Sequence, residues 1–184
     1  LWAALADAGL VGIALPEDVG GSGLGFLETC LTLEQIGRTT APVPYFATVM
    51  AALAVNQFGT DEQRSSLLPG VAEGSRVLTV ALTETGTGPL APTTEAADGA
   101  LRGTKLLVPF GQQATHAVVP ARVGQDIGLF LVDLAGDGVS QEALVTTSAL
   151  PATRLDLEGA AGDPLGAADG EPLSWLVERA AAAL

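Results

Sequence analysis

Apolar positions recur three and four residues apart through the first seventy residues, then alternate or run in short blocks to about residue 157. Trp2, Leu5 and Ala6 stand at helical spacing, and Gly9 is a suitable stop. Leu10 to Leu15 is a short apolar passage closed by Pro16, and the glycine-rich stretch Gly20 to Gly25 reads as a turn between helices. Phe26, Leu27, Cys30, Leu31, Leu33 and Ile36 form a broad helical stripe ending near Gly37, on which Cys30 is expected to pack. Ala41-Pro42-Val43-Pro44 is a rigid connector, because proline lacks an N–H and restrains the residue before it. The pattern predicts a helix from Tyr45 to Gln57, and another that starts with a capping box at Thr60 and Gln63 and ends at Pro69-Gly70.

After Arg76 the pattern predicts strands at Val77–Leu82, Thr93–Ala96, Ala100–Val108, Ala117–Ala121, Ile127–Asp133, Val139–Leu144 and Thr153–Leu157. No long helical period falls between them, which disfavours a parallel βαβ sheet and a Rossmann site. The fold class predicted is α+β: a helical domain over residues 1–74, an antiparallel barrel or sandwich over 75–170, and the first turns of a further helix over 171–184. The chain starts without Met inside a helical pattern and ends inside another, so both ends read as cut from something longer.

Charge narrows the partners. Eight basic residues against 21 acidic ones give a net charge of −13, which repels nucleic acid and anionic lipid. One cysteine excludes an internal disulfide, no Cys/His cluster suggests a metal, and a reducing cytoplasm is the expected location. Neither a membrane span nor a signal peptide is visible. His116 has no serine, cysteine or carboxylate near it in sequence to make a triad, and reads as structural or solvent-facing.

The stretch Val80-Ala81-Leu82-Thr83-Glu84-Thr85-Gly86-Thr87-Gly88 is the seam between the two patterns. A strand here runs into a loop with two glycines, where backbone N–H groups can approach a polar ligand closely; the same composition also makes an ordinary tight turn.

Four stretches, in order and spacing, resemble the acyl-CoA dehydrogenase family over essentially the whole chain. Leu15 to Gly23 is similar to the family's "VPEEYGGxG" turn, Phe58 to Gln63 with Leu68-Pro69 to "FGTEEQ…LP", Ala81 to Gly88 to "ALTEPGAGSD", and Gly103-Thr104-Lys105 to the start of "GTKxWITN". The resemblance implies a helical N-terminal domain, a β-barrel middle domain and a C-terminal helical domain missing here. It further implies FAD-dependent removal of the α and β hydrogens of an acyl-CoA thioester. A glutamate of the C-terminal domain takes the α proton and flavin takes the hydride, so this chain holds no catalytic base.

By the same resemblance, Leu82 and Thr83 match positions at the flavin pyrimidine edge, and Gly88 matches an N–H near the pyrophosphate. With few basic residues, the chain would have to hold an anionic cofactor through N–H and hydroxyl groups. The family's serine and aspartate are replaced by Pro89 and Leu90, and its tryptophan and threonine by Leu107 and Pro109, around Val108. Proline at 109 supplies neither the hydroxyl nor the N–H of threonine. Four missing donors, at about 1 kcal/mol each, weaken flavin binding on the order of a thousandfold. Leu106 to Phe110 with Ala114 and Val118 to Ala121 is similar to the acyl-CoA dehydrogenases of bacterial steroid side-chain breakdown, which pair a subunit bearing a full flavin site with one whose flavin motifs have degenerated. This chain resembles the degenerate partner. The expected partners are thus an acyl-CoA and a second, unlike subunit. Two other readings stand beside this one: a non-catalytic structural partner, and an unrelated helical-plus-β binding module.

Overall fold

The computed structural model describes Leu1–Leu184 throughout. Five helices, α1 (Trp2–Asp7), α2 (Phe26–Arg38), α3 (Tyr45–Phe58), α4 (Asp61–Ala72) and α5 (Glu171–Ala182), flank eight strands. These are β1 (Leu78–Val80), β2 (Glu95–Ala97), β3 (Ala100–Pro109), β4 (His116–Val123), β5 (Asp126–Asp133), β6 (Val139–Leu144), β7 (Ala152–Ala161) and β8 (Asp163–Leu165).

Helix α3 is the hub. It is apolar all round, and buries ten of its 14 residues between the sheet and helices α4 and α5. The hydroxyl of Thr48, enclosed within it, donates to the Leu78 carbonyl at 2.9 Å and so ties the helix to β1. Tyr45 donates its hydroxyl to the Leu10 carbonyl at 2.9 Å, and burial pushes its pKa up to about 12. Trp175 on α5 meets Phe58 edge-on, with ring centroids 5.3 Å apart, and carries Arg179 over its face at 3.7 Å.

The sheet runs β6-β7-β3-β2-β4-β5-β8, with β1 added beside β4. Its strands alternate between two cores. Val118, Leu129 and Leu131 join the helices in one, while Ala117, Val119, Phe130 and Val132 join Leu101, Leu155 and Leu157 of β3 and β7 in the other. Residues of β3 and β7 thus meet those of β4 and β5 across a common interior, so the sheet folds over on itself.

Several elements differ from the sequence reading. The sheet is mixed: β1 and β2 both run parallel to β4, because the crossover from β1 to β4 is made by the β2–β3 hairpin instead of a helix. Strand β8 was not predicted; it is three residues long and carries Pro164, which an edge strand tolerates. Helix α4 continues through Pro69 to Ala72, since burying Val71 and Ala72 offsets the lost hydrogen bond. On α2 only Thr29 is fully buried, Cys30 is half-buried, and Leu27 and Leu31 stay exposed, so the predicted stripe packs only along Phe26, Leu33 and Ile36.

The glycine-rich turn is pinned from several sides: Gly21 donates to the Pro16 carbonyl, Ser22 to Gly12 and Gly23 to Leu15. A Cβ on Gly21 would lie 2.1 Å from the Leu15 carbonyl oxygen. Gly21→Ala is therefore expected to cost about 3 kcal/mol in urea unfolding. Gly37→Ala, where a Cβ meets nothing, should instead gain up to about 1 kcal/mol. Equal effects at the two positions would contradict the packing described.

Candidate functional site

Strand β1 leaves the sheet at Ala81, whose N–H donates to the Val118 carbonyl at 2.9 Å. The chain then turns along the end of β3, where the Leu106 N–H donates to the Thr83 carbonyl at 2.9 Å. That contact sets Leu82 and Thr83 beside Leu106 and Leu107. Strand β3 is irregular here: its register with β7 shifts between Lys105 and Val108, and Leu107 and Phe110 hold φ of 52° and 51°. Bulky residues seldom take this left-handed conformation, which costs about 1–2 kcal/mol each. The bend turns Leu107 outward, 53% exposed, and Val108 inward into the second core. Pro109 is half-buried, and its carbonyl accepts the Thr79 hydroxyl at 2.6 Å.

Of the residues singled out in the sequence, Leu82 and Thr83 thus lie beside Leu107, while Pro109 is tied further back along the strand, to Thr79. Gly88 and Pro89 lie on the loop beyond, in a stretch exposed from Thr85 to Ala91. The backbone N–H groups of Leu82 and Gly88 meet no backbone carbonyl of the chain, whereas Thr83 is bridge-paired with Leu106. Pro109 borders an apolar cavity of about 590 Å³ with Phe46, Phe110 and Leu150.

Beneath this face lies a pair to which sequence reasoning gave no role. The Lys105 ammonium is 2.5 Å from Glu84 Oε1, and both side chains are enclosed, at 0% and 3% exposure. Glu84 also accepts the Thr93 N–H at 2.5 Å, the Thr94 N–H at 3.1 Å, the Thr94 hydroxyl at 2.7 Å and the Thr93 hydroxyl. Burial by itself would raise the Glu84 pKa; the bonds from Lys105, Thr93 and Thr94 outweigh it and hold the carboxyl at about 2. Burial pushes the Lys105 ammonium below its ordinary value, against the opposing pull of Glu84. The available signal was Lys105 at an inward position two residues from Gly103 and four from Leu101, a place that requires a buried carboxylate.

His116 opens β4, half-buried, with Nδ1 3.1 Å from the Thr115 hydroxyl and its pKa lowered by burial. No group of three or more His, Cys, Asp or Glu side chains is placed to hold a metal ion, and no helix is long and apolar enough to cross a membrane.

A helical unit packed on one face of a folded-over sheet, with an outward-facing loop and bend at their seam, defines the class of protein. Residues 1–75 match the family model of the acyl-CoA dehydrogenase N-terminal domain. Acyl-CoA dehydrogenase FadE27 of Mycobacterium tuberculosis is 36% identical over 179 residues, 96% of this chain and 48% of that protein. A chain of the Tcur3481–Tcur3483 steroid acyl-CoA dehydrogenase superposes with a TM-score of 0.92 at 46% identity, over 99% of this chain and 51% of that one. The ChsE4–ChsE5 complex of Mycobacterium tuberculosis follows at 0.86 and 34%, covering 97% of this chain and 50% of that one. This chain belongs to the acyl-CoA dehydrogenase family, and is similar to its steroid-type members. It spans about half the length of the relatives it matches.

Proposed function

We propose that this chain is part of a subunit of a heteromeric acyl-CoA dehydrogenase that carries out FAD-dependent α,β-dehydrogenation of acyl-CoA thioesters, steroid side-chain esters among them, and that its own flavin site is weakened. The observation that carries this reading is a preserved scaffold with a depleted donor set. The Thr83–Leu106 contact still brings the loop to the bend, yet Pro89, Leu90, Leu107 and Pro109 stand where the resemblance calls for polar or aromatic groups.

The residues fit only part of a flavin. The N–H of Leu82 and the hydroxyl of exposed Thr83 remain for a pyrimidine edge, and Gly88 offers one N–H toward a phosphate. Pro89 and Pro109 offer none, and the Pro109 carbonyl is already engaged by Thr79. This is not a complete flavin site. The heteromer is supported by the paired names of the matched steroid enzymes. In this reading the chain supplies a fold-competent neighbour to a subunit whose flavin site is sound.

The test is dye-linked oxidation of acyl-CoA thioesters, including steroid side-chain esters. The full-length protein co-purified with its unlike partner is expected to turn over, and the 184-residue chain alone to stay at the free-flavin blank. Turnover by the 184 residues alone would refute the reading.

A further inference from the structure

Strand β4 has one edge shared by two neighbours that do not touch. Near its start β1 pairs alongside it as far as Val118, and further on β2 begins at Arg122, whose N–H donates to the Thr94 carbonyl at 2.8 Å. Between them lies Pro120, which has no N–H to offer and whose carbonyl is exposed to the gap. The Lys105 ammonium closes that gap by donating to the Pro120 carbonyl at 2.7 Å while it holds Glu84. Glu84 in turn takes the backbone and side-chain donors of Thr93 and Thr94, at the point where the chain re-enters the sheet. The stretch Thr85–Ala91 is thereby a loop tied at its neck by one carboxylate, with all of its residues exposed.

We propose that Glu84 and Lys105 are positioning residues, which lock the neck of the 85–91 loop to β3 and β4 and so fix where Leu82, Thr83 and the loop donors are presented. This deepens the reading above and rests on it for the importance of that face. Neither side chain reaches the surface, so neither touches a ligand. The exposed loop has only the Glu84–Thr87 bridge and the Ala91 N–H on the Gly88 carbonyl within it, so its placement rests mainly on its ends. The same carboxylate serves both ends, because Glu84 is the last residue before the loop and Thr93 and Thr94 follow it.

The test is site-resolved amide hydrogen exchange on the full-length protein with its partner, comparing the parent with Glu84→Gln/Lys105→Met and with Thr93→Val. The double variant removes both charges together, leaving no buried charge unpaired. Thr93→Val deletes one neck hydroxyl from an exposed residue and leaves the ion pair intact. The double variant is expected to exchange at Thr93, Thr94 and Leu106 at least about tenfold faster than the parent, with the β4–β5 amides unchanged and earlier proteolytic nicking within 85–91. Thr93→Val should show a smaller acceleration confined to Thr93 and Thr94. Unchanged exchange at the neck of both variants, or acceleration spread evenly over the sheet, would overturn the proposal and leave the pair a contributor to stability alone. If the double variant does not fold, Thr93→Val decides by the same criterion. The readout involves neither flavin nor acyl-CoA, so a flat result beside normal flavin content and turnover refutes the positioning role only.

Discussion

Glu84→Ala should be the most damaging single substitution in the chain, costing about 3–5 kcal/mol in urea unfolding. The variant strands the Lys105 ammonium in a fully enclosed place with one carbonyl for company, and leaves the donors of Thr93 and Thr94 without an acceptor. Removing both charges, as in Glu84→Gln/Lys105→Met, should recover much of the loss, since the penalty comes mostly from the unpaired charge. The two proteins also differ in their response to pH. In the parent the Glu84 pKa is depressed to about 2 from an ordinary 4.5, so its contribution is fully present above about pH 4.5 and is lost as pH falls toward 2. Glu84→Ala lacks that acid step. Its stranded Lys105 has a pKa below the ordinary lysine value, so the unfolded chain binds more protons than the folded one and the deficit shrinks as pH rises. A Glu84→Ala deficit that is below about 1 kcal/mol, or indifferent to alkaline pH, would contradict the buried-pair account.

Returning donors to the seam should tighten flavin binding by up to about a thousandfold. Pro109→Thr and Pro89→Ser together restore two hydroxyls and two N–H groups, each worth about 1 kcal/mol. The strand around 109 is held by Thr79 and by pairing with Ala152, so a threonine there inherits a formed backbone. The measurement is FAD titration of the full-length protein in complex with its unlike partner, read as binding beyond one FAD per pair of chains, for Pro109→Thr alone and with Pro89→Ser. The double change should bind more tightly than the single one, and the single one more tightly than the parent. No gain from the double change would mean that Leu107 and Leu90, or the bend itself, set the loss.

Much of the architecture was legible because local pattern and tertiary structure agree. Helix α3 was visible in its apolar run and α4 in its Thr60–Gln63 capping box, and β6 was predicted to the residue. What escaped depends on partners distant in sequence. The parallel pairing of β1 with β4 has no local signature, since the link between them is a hairpin where such links are ordinarily helical. Pro69 reads as a stop until the burial of Val71 is known, and the α2 stripe reads as core until Leu27 and Leu31 are seen exposed. At the site, the closeness of Leu82 and Thr83 to Leu107 follows from one long-range contact, Thr83 with Leu106. Composition suggested that the loop could bind or merely turn. The Glu84–Lys105 pair, 21 residues apart, was in plain view as two charges, but only the sheet gap at Pro120 gives it a task.

Native mass and flavin content, measured together on the full-length protein purified alone and with its unlike partner, test the central claim most directly. The account predicts that the protein alone carries little flavin and aggregates or expresses poorly. With its partner it should form a discrete complex holding about one FAD per pair of unlike chains. A soluble homo-oligomer with about one FAD per chain and full turnover would contradict it, because every site in such an assembly would have to hold flavin despite Pro89 and Pro109.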